Sequence, residues 1–265
     1  MEWSEWASVI MRGAHIFAGI LWIGQTWYFA WLDVQFEDAV ANPDGKVWMV
    51  HSGGFYEVDK IKVPQTMPKT LHWFRWEAMT TWLTGLILLW LVYFAGGLMV
   101  DAEGNEMSLA SSLGLTIALM VVGWLIYDSL WISPIKRAPL VAGPICYGLM
   151  VTLMWYLTQR VAGRPAFLIE AAVLGTIMVM NVWMRILPGQ RAMIVDRIAG
   201  REPDQSLADR AKDRSKHNTF IILPVIFLMI SNHYPITTYG NESNWVVFAV
   251  VTLLAWLVVP VLRRR

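Results

Sequence analysis

The chain has 265 residues, of which 56% are hydrophobic and 16 are Trp, and its formal net charge is +1. That charge gives no reason to expect nucleic acid as a partner. The apolar residues fall in long blocks instead of alternating, which excludes a soluble domain of ordinary composition.

The N-terminus, MEWSEWASVI, is acidic and lacks the basic start of a cleaved signal peptide. Seven apolar segments follow, at about 6–33, 74–100, 109–132, 139–158, 165–187, 217–235 and 244–262, each long enough to cross a bilayer. The expected fold is an all-α integral membrane bundle forming a single domain over 1–265. Trp3, Trp6, Trp131 and Trp245 lie near segment ends, where amphipathic rings favour the headgroup layer. Pro144 and Pro224 fall inside segments, where kinks are expected. Cys146 is the single cysteine and sits in an apolar block, so no intrachain disulfide can form.

Basic residues collect on one side. Lys46, Lys60, Lys62 and Lys69 follow the first segment, and Lys136 and Arg137 follow the third. Arg191, Arg197, Arg201, Arg210, Lys212, Arg214 and Lys216 follow the fifth, and Arg263–Arg265 end the chain. Loops 101–108 and 236–243 have no Lys or Arg, and Arg160 and Arg164 break the pattern. The positive-inside rule then places the N-terminus outside and the C-terminus in the cytoplasm. Two long cytoplasmic segments are expected. Residues 34–73 contain the Gly-rich turn HSGGFYE, and 188–216 alternate charge as an amphipathic surface helix followed by a solvated stretch.

Histidines define two candidate sites. His15 lies within the first segment on one helical face with Ala18, Gly19, Trp22 and Thr26, so small residues leave room beside it. It reads either as a ligand or as a polar residue bonded to a neighbouring helix. His217 and His233 are sixteen residues apart on one segment, about 24 Å along a helix, and cannot hold the same metal. The outer site pairs His15 with His233 and suits a b-type haem. Against that pairing, His15 is expected well below the surface, whereas His233 precedes Tyr234 and Pro235, a helix end. The inner site gathers His72, Arg75 and Glu77 at the mouth of the second segment, Asn181 and Arg185 at the end of the fifth, and His217 and Asn218 at the start of the sixth. Such a set can hold a planar anion, with Arg on its oxygens; snorkelling charges paired locally, or a second haem between His72 and His217, use the same residues. Among acids within or bordering the segments, Asp33, Asp128 and Glu170 can serve proton movement or pair locally. No CxxC, HExxH, P-loop or GxGxxG pattern is present.

HIFAGILWIGQTWYFAWLD, VHSGGFYEVDK, LHWFRWEAMTTWLTG and HNTFIILPVIFLMISNHYP together resemble the membrane domain of the bacterial membrane-bound urate oxidase (urate hydroxylase) family. The resemblance implies oxidation of urate to 5-hydroxyisourate with water as the oxygen source and electrons passed to a c-type cytochrome. Combined with the inner cluster, it leads to the expectation of urate against Arg75, with Arg185 as a second cation and His51, Asn181 and Asn218 as further binding candidates, and a proton taken by His72, His217 or Glu77. His15 and Gly19, with His233, are the expected haem b site. The sequence lacks the CxxCH motif of the family's cytochrome c domain, so c-type haem is expected on another chain or in a missing domain. Two other expectations share the bundle: a non-catalytic haem-b electron-transfer subunit, and a transporter or metal-handling protein.

Overall fold

The apolar segments become helices whose ends are set by recognisable caps. A computed structural model describes residues 3–38, 40–99 and 107–264. It contains α1 (Trp3–Glu37), α2 (Trp76–Phe94), α3 (Leu109–Ile132), α4 (Pro139–Thr158), α5 (Gly163–Ile198), α6 (Gln205–Ile230) and α7 (Asn244–Leu262). The Ser108 hydroxyl caps α3 by accepting from the Ser111 amide, Pro139 opens α4, and the Asp204 carboxylate caps α6. At the end of α5, Gly200 takes a left-handed φ of 73°. The Gly200 and Arg201 amides then reach back to the Arg197 and Asp196 carbonyls.

Six of these helices are long and apolar enough to cross a membrane. The exception is α6, whose first half is the charged run QSLADRAKDRSK; its second half, from His217, covers most of the sixth expected segment. Loop residues 101–106, part of the expected Lys- and Arg-free side, lie outside the described residues.

α5 is the axis of the bundle. α2, α3, α4 and α6 all pack on it, while α1 packs mainly on α2, and α7 on α4 and α6. Phe167, Ile169, Ala171 and Val179 of α5 are fully buried. Polar side chains stitch the helices where no water competes: Trp82 Nε1 donates to Thr176 Oγ1 at 3.0 Å, and the Tyr147 hydroxyl donates to the Ala249 carbonyl at 2.9 Å. The arginines that break the charge pattern are accommodated locally. Arg164 donates to Asn232 at 2.8 Å and lies over Tyr93, and Arg160 lies over Tyr156.

Two expectations are corrected. The fold is mostly helical but not all-α, because residues 34–73 hold an antiparallel hairpin, β1 (Lys46–His51) and β2 (Gly54–Asp59). Its two-residue loop, Ser52-Gly53, has φ of 50° and 76°, both positive as a type I′ turn requires. A Lys46–Glu57 pair and the buried Val47 support it, and Lys60 pairs with Asp33 at the foot of α1. Residues 188–216 do not form a separate surface helix. α5 runs on unbroken to Ile198, turns at Gly200, and the charged residues enter α6 directly. Pro188 is tolerated because the hydrogen-bond register has already shifted in the π turn Asn181–Ile186 before it.

Gly163 opens α5 against the turn before α7, where a Cβ would come within 2.0 Å of the Tyr239 carbonyl oxygen. Gly163→Ala is expected to destabilise the fold by about 1–3 kcal/mol. Gly114→Ala, in open space, should leave it unchanged. Thermal unfolding of the two purified variants measures the difference.

Candidate functional site

Three helices deliver polar side chains to one buried point at the basic end of the bundle. α3 ends with Tyr127 and Asp128. α5 contributes Asn181 and Arg185 from its π turn, the kind of local widening that recurs at functional sites. α6 presents Arg214, His217 and Asn218, which share a face at i, i+3 and i+4.

Asp128 is the hub. Arg185 Nε donates to its Oδ1 at 2.8 Å, a second Arg185 nitrogen donates to Oδ2, and Arg214 Nη2 donates to Oδ1 at 2.8 Å. Two guanidiniums on one carboxylate leave a surplus positive charge. Arg214 is only 5% exposed and needs Asp128 as its counter-charge, whereas the Arg185 side chain is 41% exposed, so the surplus charge sits toward the open side of the site. Asn181, fully buried, donates to the Tyr127 hydroxyl and to Asn218 Oδ1, both at 2.9 Å, and accepts from Arg214. Asn218 in turn donates to the Met178 carbonyl at 3.1 Å. The Tyr127 hydroxyl and His217 Nδ1 share a hydrogen bond of 2.8 Å. The Arg214 guanidinium lies 5.1 Å from the Tyr127 ring, and His217 packs 4.0 Å from Trp131. Tyr127, Trp131, Arg185, Arg214 and His217 line a cavity of about 1580 Å³. The arrangement offers a cationic, aromatic-walled recess with a Tyr–His pair able to move a proton.

Of the residues singled out from sequence, Asn181, Arg185, His217 and Asn218 come together here. His72, Arg75 and Glu77 do not join them. Exposed His72 packs edge-on against Phe74, and Arg75 caps α2 between the rings of Trp73 and Trp76. Glu77 Oε1 accepts from Gln25 of α1 at 3.2 Å, while its buried Oε2 has no hydrogen-bond partner among the described residues. The physical reason is that α2 turns Glu77 to Gln25 of α1, His72 rests on Phe74, which itself packs on Phe29 of α1, and Arg75 is taken up by the rings of Trp73 and Trp76. Trp76 against Trp183 of α5 is the contact linking the two groups. His51 is exposed at the hairpin turn. Among the acids, Asp33 pairs with Lys60 and Asp128 with two arginines. Glu170, fully buried in α5 and lining the cavity, has neither oxygen hydrogen-bonded among the described residues.

Tyr127 and Arg214 escape the sequence reading. Arg214 falls within a run read as solvated, yet its spacing to His217 and Asn218 puts it on their face. Tyr127 looks like one more aromatic beside Asp128.

At the other end of the bundle, His15 Nδ1 bonds the Thr81 carbonyl at 2.9 Å and Thr84 Oγ1 at 3.2 Å. Gly85 lets the ring lie against α2, since a Cβ there would stand 3.0 Å from the imidazole. Gly19, one turn on, leaves open room beside the helix, with only a Thr81 methyl near. Among the described residues nothing hydrogen-bonds His15 Nε2. An imidazole whose Nδ1–H is held by a backbone carbonyl keeps Nε2 as its donor atom, so the chemistry of His15, with the space at Gly19, would suit holding a haem iron. His233 is exposed at the end of the short turn Ser231–His233. The Glu37–Lys212 pair sets the register of α1 against antiparallel α6. Counting along the helices from that pair, both histidines lie about 32 Å away, at similar depth.

The urate oxidase N-terminal family model matches residues 2–265. The chain belongs to that family. No curated relative and no solved structure matches it. Membership points to urate, a planar anion, as the ligand, and the chain carries two arginines on one carboxylate beside an aromatic-walled cavity.

Asp128→Asn should leave the buried Arg214 without its counter-charge and destabilise the protein by about 3–5 kcal/mol. The double variant Asp128→Asn/Arg214→Met should recover much of that loss, and thermal unfolding in detergent compares the two.

Proposed function

We propose that the chain is a redox enzyme of the bacterial inner membrane that oxidises urate to 5-hydroxyisourate. The observation that carries this reading is the pair of guanidiniums sharing Asp128 at the cavity wall. A monoanion entering there balances the surplus charge, and its oxygens accept from Arg214 and Arg185 in the planar geometry guanidinium favours. Trp131 and Tyr127 flank the purine ring. Urate monoanion and water give 5-hydroxyisourate, two electrons and one proton. His217 takes that proton at Nε2, with its Nδ1 held on the Tyr127 hydroxyl. Asn181 positions the hydroxyl and is itself fixed through Asn218. The basic end faces the cytoplasm, so urate enters from there, and a c-type cytochrome on another chain takes the electrons at the opposite face. His15, with Gly19 beside it and His233 as the candidate second ligand, would hold a haem b, which supplies one-electron storage between substrate and acceptor.

Purified protein given urate and a soluble cytochrome c without oxygen is expected to reduce the cytochrome. His217→Ala should lower the rate about 10²–10⁴-fold. Arg214→Met should raise the urate concentration needed, and its interpretation rests on variants whose unfolding profile matches the parent. Absence of urate-dependent reduction with any acceptor, from folded protein, rejects the assignment. Separately, His15→Ala should abolish the Soret band of the purified protein, and a band that persists unchanged rules out His15 as a ligand.

A further inference from the structure

α3 and α4 are consecutive and joined by the short turn Pro134–Arg137, yet they hardly touch each other, because each packs on α5. The gap they leave is the cavity of about 1580 Å³. Pockets that hold drug-sized ligands run to about 300–1,000 Å³, and urate is smaller than such ligands, so the substrate accounts for one end of this space. The remainder is largely apolar apart from Thr152 and Glu170, with Val122 and Ile126 of α3, Leu149 and Leu153 of α4, and Phe220 and Trp256 among its lining. Val122, Ile126 and Leu149 are exposed, so the gap is open along the side of the bundle.

The rim of this gap at the basic end carries Lys136 and Arg137 from the α3–α4 turn and Arg210 and Lys216 from α6. Asp209 and Asp213 share the rim, leaving it net positive. Arg210 is bonded only to Ser206 of its own helix, and among the described residues Lys136, Arg137 and Lys216 have no ion-pair partner. A slot that is apolar along its length and cationic at one membrane face has the chemistry of a phospholipid with an anionic headgroup.

We propose that an anionic phospholipid occupies the α3–α4 gap. Its phosphate sits among Lys136, Arg137 and Arg210, and an acyl chain runs along Val122, Ile126 and Leu149. Seated there, the lipid forms the missing side wall of the recess around Tyr127 and His217. The inference goes beyond the urate reading and does not depend on it.

The test is native mass spectrometry of protein released from vesicles of equal phosphatidylglycerol and phosphatidylcholine. Phosphatidylglycerol is expected to be retained preferentially. Lys136→Glu/Arg137→Glu should cut its retention about tenfold or more. Gly143 lines the gap and a Cβ there meets nothing within 4 Å, so Gly143→Trp should fill the slot and displace the lipid without disturbing the fold. Equal retention of the two lipids, or phosphatidylglycerol retained undiminished by folded Gly143→Trp protein, overturns the proposal. Circular dichroism and gel filtration establish folding, and if the charge-reversed variant fails them, the parent's lipid preference and Gly143→Trp decide. No urate enters these measurements, so loss of the urate assignment and loss of the lipid site are separately visible.

Discussion

The arrangement around Asp128 governs the basic end of the molecule. One carboxylate on α3 accepts from Arg185 of α5 and Arg214 of α6, so three helices are tied through a single group. A buried cation is tolerable only with its counter-charge in place. That condition fixes the depth of α6 against α5, and with it the positions of His217 and Asn218. The amide pair Asn181–Asn218 continues the same tie, and the Tyr127 hydroxyl hangs from it. Substrate recognition, on the reading proposed here, uses the charge left over once the structural pairing is satisfied.

The two histidine regions are divided by α2. His15 belongs to the α1–α2 pair and is oriented by a backbone carbonyl of α2, whereas His217 belongs to the α3–α5–α6 cluster. The Trp76–Trp183 contact and the Trp82–Thr176 hydrogen bond join α2 to α5 between them. On the reading proposed here, such a layout separates chemistry at one membrane face from electron storage nearer the other. The family membership of the chain is consistent with the first half of that division through urate.

The gap between α3 and α4 follows from the dominance of α5. A helix buried on nearly every side gathers its neighbours around itself, and two neighbours that both satisfy their apolar stripe on it have no need to meet. In a membrane such a gap is not empty, since lipid chains are available to fill it. The fold thereby leaves one wall of its candidate site to the bilayer.

Hydrophobic blocks are legible without a structure because a bilayer demands about twenty apolar residues per helix, and the edges of 109–132, 139–158 and 244–262 coincide with α3, α4 and α7. The sequence by itself also determined that Asn181 and Arg185, and His217 and Asn218, border apolar segments on one side, since basic residues mark that side, although the helices run on past them, α5 to Ile198 and α6 from Gln205. The hairpin at Lys46–Asp59 was hidden by short strands and a turn whose two positive φ values belong to conformation and not to composition. Arg214 reads as one more charge in an alternating run. Only the packing of α6 on α5 and α3 takes it out of water and sets it on Asp128. Likewise, nothing in the spacing of His72, Arg75 and Glu77 says which neighbour α2 will turn them toward. Local periodicity determines which helices form, but the side chains that meet are decided by which stripe each helix buries, and that depends on every other helix at once.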